Sequence, residues 1–255
     1  MIDLAPATPV PRLFAVELRK TVDTLAGFWL LVATAVAVVG VAALTLVAGD
    51  HGDDPTFGLF FKRTIGMGSV VLPVLGILAV TSEWSQRTAI TTFALVPRRE
   101  RVIGAKLLAG GALALAFVAL CLVASVGANA LVPVLTGGDA HWNLAAAGVA
   151  AAVPYMVMWM LVGGAFGLLA MSSAPAIGAI FLIPLGLAWL GVAIPGAGDA
   201  LRWIDLGSTG AELNAAHPAI SGQDWAQLAA GVALWVFVPL ALGFLRLHRQ
   251  DVAFS

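Results

Sequence analysis

No glycine in the chain is followed by lysine, so the GxxxxGK[ST] loop that cradles phosphate groups is missing, and ATP cannot be bound and split by that route. A His-Glu-x-x-His pair is missing too. The four histidines, His51, His141, His217 and His248, fall in polar loops or the tail, which leaves an intramembrane metalloprotease without ligands. The single cysteine, Cys121, excludes an intrachain disulfide and a cysteine-built metal site, and its mid-span position suits a small apolar filler. Charge is scarce: 11% of the 255 residues are Asp, Glu, Lys or Arg, against about 25% in an average soluble domain. Apolar residues make up 60% of the chain and its mean hydropathy is +0.98, which reads as an all-α, polytopic membrane protein.

The little charge there is gathers in one place. Glu83, Arg87, Arg98, Arg99, Glu100, Arg101 and Lys106 lie between two long apolar runs. A charge at the bilayer centre costs about 2.5 to 3.5 kcal/mol on insertion scales, so this island belongs in water or at an interface. Most of it is basic, which assigns it to the cytoplasmic side.

Along the chain, the proline-rich first residues lack the basic start and apolar stretch of a cleaved signal peptide and read as an irregular tail. From 13 to 25 the spacing is helical, with Phe14, Leu18, Val22 and Leu25 on one stripe and Glu17, Arg19, Lys20 and Asp23 mostly opposite. That pattern predicts an N-terminal amphipathic helix on the membrane surface, or a juxtamembrane extension of the first span. Six apolar runs follow, predicting spans at 26–48, 64–81, 103–131, 144–170, 176–194 and 225–247. The acid-rich turn at 49–55 is a solvated loop in this reading, and Pro73 is expected to kink the second span. The interval from Asp139 to Asp199 has no charge and is too long for one crossing, so the chain must fold back at its one break, 171–175.

The segment 195–224 is polar but punctuated by Leu201, Trp203, Ile204, Leu206, Leu213 and Ile220. Short helices dipping into the outer interface, as a re-entrant or interfacial segment, account for that mixture, and Leu201, Trp203, Ile204 and Leu213 are candidates for an outer gate. The charge tally agrees with six spans. Arg12, Arg19, Lys20, Arg87, Arg98, Arg99, Arg101, Lys106, Arg246 and Arg249 fall inside, against Lys62, Arg63 and Arg202 outside, with both termini cytoplasmic. Gly163 and Gly167 form a GxxxG that lets helices approach closely, and Met156, Met158, Trp159 and Met160 are core packing or an adaptable apolar pocket.

Three stretches carry a family resemblance. Phe14-Ala15-Val16-Glu17-Leu18-Arg19-Lys20 is similar to the V-x-x-E-L-x-K signature that opens permease subunits of the ABC type-2 family, particularly short, actinobacterial-style members. Ser82-Glu83-Trp84-Ser85-Gln86-Arg87-Thr88, then Pro97-Arg98-Arg99 and Lys106, resembles the S-E-W/Y-x-x-G-T stretch, Pro-x-Arg pair and span-opening Lys of that family. Arg87 stands where the family often has Gly, so no role passes to it from relatives. Arg249-Gln250-Asp251-Val252 resembles the family's basic-Asp-Val tail, and the resemblance runs over essentially the whole length.

The resemblance implies a cytoplasmic coupling helix within 82–102 that rests, with the surface helix, on a separate ABC ATPase (nucleotide-binding) subunit. Glu17, Lys20, Glu83, Arg87, Arg98, Arg99 and Arg101 are then the candidate contacts. Glu83 and Arg87 are spaced to pair on one helix face as a docking point. It also implies a multi-pass protein of the bacterial inner (cell) membrane that pairs with a second permease chain in the lipid bilayer. No cofactor belongs to this chain, ATP and Mg being held by the partner, and no nucleic acid is involved. The expected function is an exporter's permease subunit, not itself an enzyme. An ATP-independent secondary carrier and a membrane anchor or assembly protein are the alternatives, although the absence of ionisable residues from the span interiors, away from their ends, weighs against ion coupling.

Overall fold

The computed structural model describes residues 9–48, 55–85, 99–194, 196–211 and 221–252, and among them every regular element is helical. Helix α1 (Val10–Asp23) ends at Thr24, whose extended backbone breaks the chain before α2 (Leu25–Ala48). Then come α3 (Phe57–Gly66), α4 (Gly68–Ser85), the long α5 (Arg99–Leu135), α6 (Ala146–Ala170) and α7 (Ser173–Ala193). Two short helices, α8 (Gly198–Leu201) and α9 (Leu206–Ala211), precede α10 (Gly222–Val232), a π turn (Ala233–Phe237) and α11 (Val238–Val252).

Six helical segments are long and apolar enough to cross a membrane: Gly27–Val47, Phe57–Trp84, Glu100–Leu135, Ala146–Ala170, Ser173–Ala193 and Gly222–Arg249. The chain is a multi-pass membrane protein by that measure. The side chains on the bundle's exterior agree, since Trp29, Val36, Leu44, Val123, Val134, Leu182, Trp189 and Val192 are apolar and exposed, as lipid demands.

The bundle's two ends are set by cross-contacts. Lys106 near the start of α5 meets Glu17 of α1 and Glu83 at the end of α4, His248 of α11 lies 3.3 Å from Glu100, and Arg246 donates to Leu169 O at the end of α6. All of these define the α1 end. At the opposite end Phe57 N donates to His141 O and Gly58 N to Asn143 Oδ1, while Trp235 Nε1 donates to Ile204 O. Helix α1 and the last turns of α11 therefore share one end, as an even number of crossings requires.

Several expected boundaries move. The second crossing starts at Phe57, not residue 64, and is interrupted at Met67 between Gly66 and Gly68, six residues before the expected kink. Two glycines, which lose more backbone entropy in a helix than other residues, weaken it there, and Gly68 lies where the Met156 and Phe117 side chains leave no room for a Cβ. Pro73 stays inside α4, buried against α6. Helix α5 runs through Pro133, and its 37 residues span about 55 Å, well beyond a hydrocarbon core of about 30 Å, a length that a bilayer accommodates by tilt or by protrusion of the helix ends. The fold-back after α6 falls where the charge-free interval required it: Met171 takes a left-handed φ of 51° and caps α6, and Ser172 opens α7.

Close approach of backbones holds the centre. A Cβ added at Gly76 would collide with the α6 backbone at Met160 and Gly164, and one at Gly163 with the α4 backbone at Pro73; at Gly167 it would come within 3.2 Å of Ile77 Cα. The GxxxG of α6 is thus spent on packing α4 inside this chain.

Candidate functional site: a charged network joining α1, α4 and α5

Helix α1 buries Leu13 and Glu17, four residues apart on one face, and the buried partner of a leucine is here a carboxylate. Glu17 Oε2 receives Lys106 Nζ at 2.6 Å, and Glu17 Oε1 receives Lys20 Nζ at 2.8 Å. Lys20 also reaches Glu83 Oε1 at 3.2 Å, and Lys106 lies 3.5 Å from the same oxygen. Lys106 makes a further hydrogen bond to Ala79 O at 3.1 Å. Among the described residues, two carboxylates and two ammonium groups from three helices thus form one formally neutral network.

Burial divides its members. The Lys106 side chain is 1% exposed, Glu83 3% and Glu17 8%, whereas Lys20 is 43% exposed and closes the network toward solvent. Burial pulls the Lys20 ammonium down, but the hydrogen bond and charge of Glu17, followed by those of Glu83, outweigh it and raise its pKa above 10.5. Glu83 Oε2 is buried without a hydrogen-bond partner among the described residues. Behind Lys106 lies a cavity of about 10 Å³, lined by Gly76, Ala79, Gly110 and Gly164 among others, the smallest space a single water fills.

Three of the sequence-predicted contacts, Glu17, Lys20 and Glu83, come together here, and Glu17 and Glu83 are buried. Arg101 is half-buried on the first turn of α5, and Arg99 begins that helix. Arg87 and Arg98 lie outside the described residues, and so do the expected Glu83–Arg87 pair and most of the segment 82–102, whose two ends belong to α4 and α5. Lys106 is the member that the list of contacts omitted. Its signal was present: one lysine heads an otherwise uncharged apolar run, and an ionisable group within a span is a functional candidate by default.

At the opposite end, α8 and α9 supply short helices within 195–224. Trp203 is exposed, Leu201 and Ile204 are half-buried, and Leu213 lies outside the described residues. Leu206 in the same segment is 1% exposed and packs on Gly231. In comparison with known proteins, no family model matches the chain and no curated protein matches it, so these geometries carry the functional argument.

Proposed function

We propose that the chain is the permease subunit of an ABC exporter of the second type, working beside a second permease chain and driven by separate ATPase subunits that hold ATP and Mg. The α1 end faces the cytoplasm of a bacterial cell in this reading, with α1 along the inner membrane surface and the segment between α4 and α5 as the coupling element. The observation that carries it is the Glu17–Lys20–Glu83–Lys106 network. A helix that only rested on the bilayer would not need a buried lysine of the third span to hold it. With the network, a push on α1 or on the chain after Glu83 reaches the second and third spans directly, as a machine powered from outside the membrane requires.

The chain itself offers no phosphate-cradling loop, so the energy source belongs to a partner. Purification of the tagged chain from its native membranes in a mild detergent is the test. An ATPase subunit should come with it, with hydrolysis that vanadate inhibits, and Glu83→Ala should leave insertion intact while cutting that hydrolysis severely. A chain that purifies without any ATPase, or full hydrolysis in Glu83→Ala, overturns the proposal.

A further inference from the structure

Helix α1 is held in one rotational setting. Leu13 and Glu17 are buried, and Glu17 is tied to Lys106 of α5, so the directions of its other faces are fixed. At about 100° per residue, two further stripes stand about a third of a turn to either side of that buried pair. Phe14, Leu18 and Val22 form one, wholly apolar and graded from half-buried to exposed. Arg12 and Arg19, seven residues apart, form the other; both are exposed, and neither makes an ion pair among the described residues.

The positive charge of that stripe is not cancelled nearby. Glu17 and Glu83 are already enclosed with Lys20 and Lys106, and Glu100 lies 3.3 Å from His248. Asp23, exposed at the last turn of α1, is the acid that remains against the two arginines, and it makes no ion pair with Arg19 among the described residues.

The chain just after α1 sets its depth. Thr24 breaks the helix, and the first turns of α2 expose Leu25, Phe28 and Trp29, the two rings meeting edge to face at 5.7 Å. An exposed tryptophan at the start of a span belongs to the headgroup region of a bilayer, and a helix that joins it there shares that level.

We propose that α1 is a docking surface for anionic phospholipid, with Arg12 and Arg19 on headgroup phosphates and Phe14, Leu18 and Val22 against acyl chains. A guanidinium presents paired N–H donors that match phosphate oxygens, and a leaflet rich in anionic lipid draws juxtamembrane cations to it. The apolar stripe decides for lipid over a soluble partner, because a helix bound in the interface buries one apolar side and keeps its basic side at the headgroups. This rests on the proposed function only in assigning the α1 end to the inner surface, and neither arginine is among the residues assigned there to ATPase contact.

The test uses the full-length chain in a neutral detergent, free of any ATPase subunit, with an environment-sensitive fluorophore on Ala15→Cys in a Cys121→Ala background. Ala15 is exposed between the apolar and basic stripes. Dioctanoyl phosphatidylglycerol is titrated, with dioctanoyl phosphatidylcholine as its zwitterionic counterpart. A saturable response is expected at about tenfold lower concentration of the anionic lipid, and Arg12→Gln with Arg19→Gln should raise its Kd about 25-fold, about fivefold for each arginine. Arg12→Lys with Arg19→Lys keeps the charge and should recover most of that loss, while Arg249→Gln, on α11 at the same end, should leave the Kd unchanged. Equal responses to the two lipids, an unchanged Kd in the glutamine variant, or an equal loss in Arg249→Gln overturns the surface. A glutamine variant that keeps its lipid response but no longer retains an ATPase subunit also overturns it and assigns the stripe to a protein. Lipid binding by a chain that purifies without any ATPase leaves the surface standing and removes the transport reading, and the converse removes the surface alone.

Discussion

Lys106 is the residue on which the α1 end turns, because its ammonium is the only one in the network that is fully enclosed. Removing one member of a buried pair leaves the others uncompensated and typically costs about 3 to 5 kcal/mol, whereas removing both members often costs far less. Lys106→Met should lower stability by about that amount in denaturant unfolding, and Glu17→Gln added to it should recover part of the loss. A double variant as unstable as the sum of the singles would mean that the pair contributes nothing. Lys20 adds a pH dependence. Its pKa is raised above 10.5, so its contribution is complete below 10.5 and fades as pH climbs through the raised value. Spin labels at Val16 and Gly104 should therefore report α1 seated on α5 below that value and loosening above it, and Lys20→Met should flatten the alkaline change. The pairing itself was beyond reading from the sequence, since Glu17 and Lys106 stand 89 residues apart and only the packed bundle brings them within reach.

At the scale of elements, the spans were legible because each needs about 20 apolar residues and the chain supplies six such runs. The interruption at Met67 is legible in the Gly66-Met67-Gly68 triplet and comes in addition to the kink expected at Pro73. Inside α4 the proline's backbone lies against Gly163 of α6, where a side chain would not fit. This contact predicts a contrast among glycines. Gly163→Ala forces a Cβ into the Pro73 backbone and should destabilise the protein by about 1 to 3 kcal/mol. Gly40→Ala meets nothing within 4 Å and should be neutral or slightly stabilising. Thermal unfolding of both in the same detergent checks the order, and equal effects would contradict the α4–α6 contact.

For the whole molecule, the arrangement is a bundle whose charged clasp lies at one end and whose short helices, α8 and α9, lie at the other. In a Cys121→Ala background, single cysteines at Asp139 and Ser208 should react with an impermeant reagent in intact cells and one at Ser172 should not; the reverse pattern would invert the orientation. The central claim is that a partner's ATP cycle acts on α1 and reaches the far end through the network. The most direct measurement is the spin-label distance between Arg19 on α1 and Asp199 on α8 in the complex purified with its ATPase subunit, before and after ATP and Mg. A shift is expected in the wild type, and Lys106→Met should abolish it. No shift in the wild-type complex, or the same shift in the chain purified free of any ATPase, would contradict it.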